Sequence, residues 1–116
     1  MPIDPISWAI IIGSFVAGYA VGYFWDEIKV WATRILGYII DGLNRAIEVA
    51  SNATVFLVKK GTRVYKKIEV IVRNFATGKY FKRYQDEEIS PYDVPENAMS
   101  ELSANPNVPV YQYTHN

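Results

Sequence analysis

The sequence contains no cysteine among its 116 residues. This absence excludes disulfides, thiolate metal sites and thiol nucleophiles, and it leaves the redox compartment open. The only histidine is His115, so neither a histidine general base nor a multi-histidine metal site is expected. No phosphate-binding glycine loop, nucleophile elbow or HExxH run is present. The sequence therefore predicts that the protein is not an enzyme and holds no cofactor or metal.

Charge is missing from a long N-terminal stretch. The run from Pro5 to Trp25 contains no charged residue, and as a helix it is long enough to cross a hydrocarbon core of about 30 Å. Aromatic residues lie near both of its ends, as they do where membrane helices meet the headgroup layer. The sequence thus predicts an N-terminal transmembrane anchor over residues 1–26.

Basic residues are also absent before this span, whereas Lys29, Arg34 and Arg45 follow it. Because Lys and Arg are retained on the cytoplasmic side, we expect a single-pass protein with its N-terminus outside and its C-terminus in the cytoplasm. Small residues recur every four positions within the span, which predicts a face on which two helices pack closely. The predicted helix-packing residues are Ser14, Gly18 and Gly22, and they favour a homo-oligomer.

Apolar and small residues continue beyond the span from Ile28 to Phe75 with a mean spacing of about 3.6, the period of an α-helix. The predicted fold class is therefore a mainly α membrane protein, in which the anchor continues into a long amphipathic helix or helix pair. Residues 27–60 form the amphipathic helix and residues 61–85 a basic, aromatic-rich helical segment. A small β-hairpin over residues 62–88 is the alternative, because the segment from Val64 to Val72 is rich in β-branched residues. We favour the helix because strand alternation places Lys66 among the apolar positions.

The zero net charge conceals two segments of opposite sign. Residues 59–83 contain nine basic residues and the single acid Glu69. Residues 86–116 contain six acids and no Lys or Arg, with several prolines, and are predicted to form an extended acidic tail. The basic residues are predicted to bind anionic lipid or a partner surface; they are Lys59, Lys60, Arg63, Lys66, Lys67, Arg73, Lys79, Lys82 and Arg83.

Three functions follow from this pattern. The first is a structural or assembly subunit, a small bitopic membrane protein that self-associates and presents its basic region to other protein subunits or to membrane lipid. The second is an oligomeric pore-former of the holin or toxin type, in which residues 35–58 also enter the bilayer and turn Asp41, Arg45 and Glu48 towards a lumen. The third is a membrane-tethered nucleic-acid binder. It ranks last because the acidic tail can neutralise the basic segment.

Overall fold

The structure, a computed structural model, describes residues 9–10 and 23–114. A short 3-10 turn, Pro91–Asp93, precedes the second helix. In chain order the elements are β1 (Ala9–Ile10), α1 (Tyr23–Asp41), β2 (Glu48–Lys60), β3 (Arg63–Asn74), β4 (Tyr80–Ile89), α2 (Glu96–Ala104) and β5 (Asn107–Thr114).

The strands form one sheet in the order β1-β5-β2-β3-β4, and every neighbouring pair is antiparallel. Strands β2 and β3 are joined by a two-residue turn in which Gly61 adopts a φ of 62°, a conformation that glycine takes without a steric penalty. In the longer β3–β4 turn, the Asn74 side chain accepts hydrogen bonds from the N–H groups of Ala76 and Thr77. Gly78, with a φ of 70°, completes this turn.

Alternating burial explains why residues 48–74 form strands. On β3, Val64, Ile68, Val70 and Val72 are fully buried, and they lie at even-numbered positions on one face of the sheet. The same segment was predicted to be helical, which is wrong, whereas the alternative of a β-hairpin over residues 62–88 is confirmed. Apolar residues stand on both faces of β3, so a helical stripe can be traced through a segment that is in fact a strand.

The predicted amphipathic helix over residues 27–60 is correct only in its first part. Ile28, Ala32 and Ile35 form the buried face of α1, at the spacing that the sequence indicates. The helix ends at Asp41, where the N–H of Gly42 still donates to the carbonyl of Tyr38. Beyond it, the chain gains ladder hydrogen bonds to β3 and β5 and buries apolar side chains that a lone helix would leave exposed. The mainly α fold class is therefore wrong.

The predicted transmembrane anchor is also wrong. Ala9 and Ile10 lie inside the predicted span, yet they form β1 and pair with Tyr111 and Gln112 of β5, which excludes a continuous helix. None of the helices within residues 23–114 combines the length and the apolar character needed to cross a bilayer. The single-pass placement with an outside N-terminus is corrected by the same findings. Ser14, Gly18 and Gly22 lie outside the described residues, so the predicted helix-packing face stays a prediction.

The pore-former alternative fails for a related reason. It required residues 35–58 to cross the bilayer as a helix, but α1 ends at Asp41 and β2 begins at Glu48. Asp41 at the end of α1 and Arg45 in the connection to β2 form an exposed ion pair of 2.8 Å and do not face a lumen within a helix.

The core lies between one face of the sheet and the two helices. Trp25, Trp31 and Leu36 of α1 pack there, and α2 contributes Ala98 and Leu102. Full burial of each large apolar side chain contributes about 1.5–3 kcal/mol.

The predicted extended tail is wrong, because residues 86–114 complete β4 and form α2 and β5. Val108, Val110 and Tyr111 of β5 are buried within the chain itself.

Candidate functional site

The sheet has one covered face and one open face. The covered face carries the buried residues of β3 and packs against α1 and α2. The open face points away from the helices, and its β3 residues Tyr65, Lys67, Glu69 and Ile71 are only half-buried. On β4 the open face continues through the residues that pair with odd-numbered residues of β3, namely Tyr80, Lys82, Tyr84, Asp86 and Glu88.

The structure divides the nine predicted basic residues between these faces, because neighbouring residues of a strand point in opposite directions. Lys79 lies in the β3–β4 turn. On the covered side, Lys59 donates to Ser103 of α2 at 3.5 Å. Lys66 and Arg83 lie on the same side as Lys59, while Lys60, Arg63, Lys67, Arg73 and Lys82 lie on the open face.

Lys66 is the residue whose position among apolar neighbours argues against a strand, and its surroundings explain how the strand accommodates it. Its ammonium group lies 5.1 Å from the centre of the Trp31 ring and 3.5 Å from a carboxylate oxygen of Glu87. A cation above an aromatic face and beside a carboxylate keeps most of its electrostatic stabilisation after partial burial. Lys66 also lines a groove with Tyr23 and Glu27 of α1, where a hydrogen bond to Glu27 raises the pKa of Tyr23.

Acids of β3 and β4 neutralise one part of the basic segment. Glu69 lies 3.1 Å from Lys67 and 3.5 Å from Lys82. Partial burial alone would raise the pKa of Glu69, but its hydrogen bonds and the charges of the two lysines outweigh burial and lower it. Farther along the hairpin, Arg63 lies 3.9 Å from Glu88. The sequence-predicted acidic tail thus supplies counter-charges from within the same sheet.

The end of the hairpin next to the β3–β4 turn differs from the rest. We define the hairpin-end surface as Arg73, Phe75, Lys79 and Tyr80. The guanidinium carbon of Arg73 lies 5.3 Å from the Phe75 ring centre and 5.8 Å from the Tyr80 ring centre. Phe75 and Tyr80 are 56% and 59% exposed. Among residues 23–114, neither Arg73 nor Lys79 has a carboxylate within ion-pair distance.

This arrangement is suited to binding. A guanidinium group that stacks on aromatic rings keeps its N–H edge free for two parallel hydrogen bonds to a carboxylate or phosphate. The flanking rings add apolar contact area to the same spot. The sequence analysis includes Arg73 and Lys79 among nine basic residues. It does not distinguish these two residues from the cations that form ion pairs with nearby acids. Only the strand register provides that separation.

No catalytic or metal-binding constellation accompanies this surface in the part of the chain that the structure describes. Within residues 9–10 and 23–114, no three His, Asp or Glu side chains stand together as a metal site would require. The predicted absence of enzyme activity and of a cofactor stays a prediction. Comparison of the chain with protein-family models, with curated proteins and with solved structures finds no match.

Proposed function

We propose that this chain is a structural assembly protein, without enzyme activity, whose hairpin-end surface binds an acidic segment of another protein. The observation that carries the proposal is Arg73, whose guanidinium group lies close to two exposed aromatic rings and has no carboxylate partner among residues 23–114. A carboxylate of a partner would complete its hydrogen bonding, and Lys79 would supply a second positive charge. Phe75 and Tyr80 would cover apolar parts of the same segment.

An acidic protein segment suits the charge distribution better than nucleic acid does. The whole chain has no net charge and a pI near 6.6, whereas nucleic-acid-binding domains usually carry a basic stripe that neutralises several phosphates. Glu69, Asp86 and Glu88 stand among the cations of the open face and would repel a phosphate backbone that crossed it. Two cations at one end of a hairpin are enough for a short acidic motif.

Fluorescence anisotropy with two labelled probes tests this proposal. One probe is a peptide of alternating glutamate and serine, and the other is single-stranded oligothymidine. We expect the peptide to bind and the double variant Arg73→Gln, Lys79→Gln to weaken that binding. Hydrogen bonds to charged groups contribute about 1.5–3 kcal/mol each, so the affinity should fall by about tenfold or more.

The matched control is the double variant Lys60→Gln, Arg63→Gln. It removes the same charge from the opposite end of the open face, where Arg63 already has Glu88 as a partner. Unchanged peptide affinity in this control would locate binding at the hairpin end. Equal losses in both double variants would show a general charge effect and contradict the proposal. Binding of oligothymidine without binding of the peptide would favour nucleic acid instead.

A further inference from the structure

Strand β4 lies at the end of the sheet. Among the described residues it pairs only with β3, so its outer edge has no neighbouring strand. The strand has ten residues, and all of them except Phe81 and Ile89 are exposed. Its register with β3 runs without a bulge, whereas both ladders of β2 contain a register shift. Helix α1 packs mainly on β2 and β3, and α2 packs mainly on β2 and β5, so neither helix has β4 as a main packing partner. An exposed, regular edge of this length is a template for another strand.

We propose that a second copy of the chain occupies this edge, with the two β4 strands antiparallel about a two-fold axis through Gln85. The two sheets then form one continuous sheet. This proposal does not depend on the acidic partner of the hairpin-end surface, because it uses the outer edge of β4 and different side chains.

Symmetry restricts the registers that such a pair can adopt. A two-fold axis that relates neighbouring antiparallel strands stands perpendicular to the sheet, so the helices of both copies lie on the same side. Residues directly opposite each other must then belong to the same face, which requires both to be odd-numbered or both even-numbered. The axis must therefore pass through a residue and not between two residues.

The charge order of β4 selects Gln85 as that residue. Lys82 and Arg83 come first along the strand, and Asp86, Glu87 and Glu88 come after the centre. With the axis at Gln85, Arg83 lies opposite Glu87 of the second copy, and Lys82 lies opposite Glu88. Each ion pair occurs twice, and Phe81 meets Ile89 as an apolar pair on the covered side. Opposite charges and apolar pairs at directly facing positions stabilise antiparallel strands.

The neighbouring registers lack this match. With the axis at Tyr84, Lys82 would still face an acid, Asp86 of the second copy. Arg83, however, would face the uncharged Gln85, and Phe81 would face Glu87. With the axis at Asp86, that carboxylate would face its own symmetry mate, and like charges opposite each other are destabilising. Parallel pairing in register would place every charge against an identical one. Only the Gln85 register pairs both cations with acids.

Charged residues often protect a sheet edge against pairing, but here the two signs are separated along the strand. A foreign strand that is uniformly acidic or uniformly basic would be repelled by one half of β4. A strand with the reversed charge order is accepted, and an antiparallel copy of β4 provides that order. Glu87 already lies 3.5 Å from Lys66 of its own chain. A carboxylate has several acceptor sites, so it can bridge this lysine and Arg83 of the second copy.

Cysteine scanning of the full-length protein tests the register directly, because the chain has no native cysteine. Facing Cα atoms of antiparallel strands lie about 4.5–5.5 Å apart, within the range that a disulfide spans. Gln85→Cys should therefore form a disulfide-linked dimer under mild oxidation. The control Lys82→Cys should not, because six residues separate the two copies of position 82 along the paired strands, or about 20 Å. Tyr92→Cys, at a fully exposed site outside the strand, measures crosslinking by random collision.

Paired thiols experience an effective concentration of about 1 mM, so at about 10 µM protein Gln85→Cys should oxidise about a hundredfold faster than either control. A mixture of Lys82→Cys and Glu88→Cys should give the mixed disulfide at a similar rate. If Gln85→Cys crosslinks no faster than Tyr92→Cys, the pairing is refuted. If Tyr84→Cys crosslinks fast and Gln85→Cys does not, the register is refuted.

A charge exchange provides a second measurement without cysteines. The variant Lys82→Glu, Arg83→Glu has an entirely acidic β4, and the variant Glu87→Lys, Glu88→Lys has a basic surplus. Sedimentation velocity should show each variant as a monomer alone and the equimolar mixture as a dimer. Dimers of either variant alone, or monomers in the mixture, would overturn the proposed ion pairs.

Discussion

Replacing Tyr111 by phenylalanine is expected to stabilise the fold. Tyr111 of β5 is fully buried, and its hydroxyl group has no hydrogen-bond partner in the described structure. A buried hydroxyl without a partner costs about 1–3 kcal/mol. Loss of one oxygen atom leaves little empty volume, so its cavity cost is a few tenths of a kcal/mol at about 24 cal/mol per Å³. Tyr111→Phe should thus raise the free energy of unfolding by about 1–2 kcal/mol and the Tm by about 4–8 °C.

Thermal and urea unfolding followed by circular dichroism measure this change. Tyr111→Ala, which empties the same site, should lower the free energy of unfolding by about 3–5 kcal/mol. Tyr65→Phe is the matched control, because Tyr65 is only half-buried and its hydroxyl is not a buried group without a partner, so its removal should bring no gain. A lower Tm for Tyr111→Phe than for the wild type would show that the hydroxyl group has a partner in the folded protein and would refute the reasoning.

The same residue predicts an alkaline limit of stability. Burial, and secondarily the charge of Asp26, raises the pKa of Tyr111 to about 12 from an ordinary value of 10.0. The pKa of Tyr111 is higher in the folded state than in the unfolded state. The protonated hydroxyl therefore makes its full contribution to the free energy of unfolding below pH 10, and this contribution is lost as the pH rises towards 12. Tyr111→Phe should lose less stability than the wild type over this range. Parallel curves for the two proteins would contradict the raised pKa.

The remaining predictions concern two glycines and one carboxylate. Gly37→Ala should stabilise the protein by about 0.5–1 kcal/mol, because a Cβ at this position of α1 meets no atom within 4 Å and alanine favours the helix. Gly61→Ala should destabilise it by about 1 kcal/mol, because the φ of 62° strains any residue with a Cβ. Urea unfolding measures the stability of both variants. If Gly61→Ala also stabilised the protein, the assigned turn would be contradicted. For Glu69, Lys67 and Lys82 lower the folded-state pKa below the ordinary 4.5, so its contribution is present above pH 4.5 and is lost as the pH falls through the folded value. Glu69→Gln should therefore make the free energy of unfolding depend less on pH between pH 3 and 5. The difference should be less than about 1 kcal/mol, because the ion pairs are partly exposed. The same pH dependence in the variant and the wild type would argue against these ion pairs.

The sequence predicted the buried face of α1 but neither the end of this helix nor the sheet, and these results have a common reason. The spacing of apolar residues indicates which side chains are buried. On α1, the buried residues Ile28, Ala32 and Ile35 all lie on one face, so the spacing indicates a helix correctly. On β3, Ile68 faces the core and Ile71 lies half-buried on the other face, so both lie on a helical stripe that can be drawn through the strand. The decisive interactions are long-range ladders between β2, β3 and β5, which local spacing does not reveal.

Trp25 shows why the uncharged N-terminal run resembles a membrane helix. A tryptophan at the end of such a run resembles an interfacial aromatic residue of a membrane helix. In the structure it is 1% exposed and packs edge-on against Tyr111, with ring centres 6.4 Å apart. Composition alone does not distinguish burial in lipid from burial against a strand that lies about 85 residues later in the sequence.

The sequence identified the basic residues of the sheet but not their arrangement, and their predicted binding role stays a prediction. All nine basic residues were identified, yet the sequence could not show that adjacent lysines such as Lys66 and Lys67 point to opposite faces. It also could not show that Glu87 and Glu88 lie beside the cations of β3. The alternative prediction of a β-hairpin implies both arrangements, because the register of β3 and β4 determines which face each lysine occupies and which acids lie beside it.

The position of β5 has a consequence for the order of folding. Strands β2, β3 and β4 follow one another in sequence and in the sheet, so their contacts can form while the chain is still being synthesised. Strand β5 is the last of the described elements to be made, yet it lies between β1 and β2 and buries Val110 and Tyr111. Until it arrives, β2 has an unpaired edge and Tyr111 is not yet there to pack against Trp25 of α1. The nascent chain therefore exposes apolar surface until β5 is added, and we expect it to be most prone to aggregation in that interval.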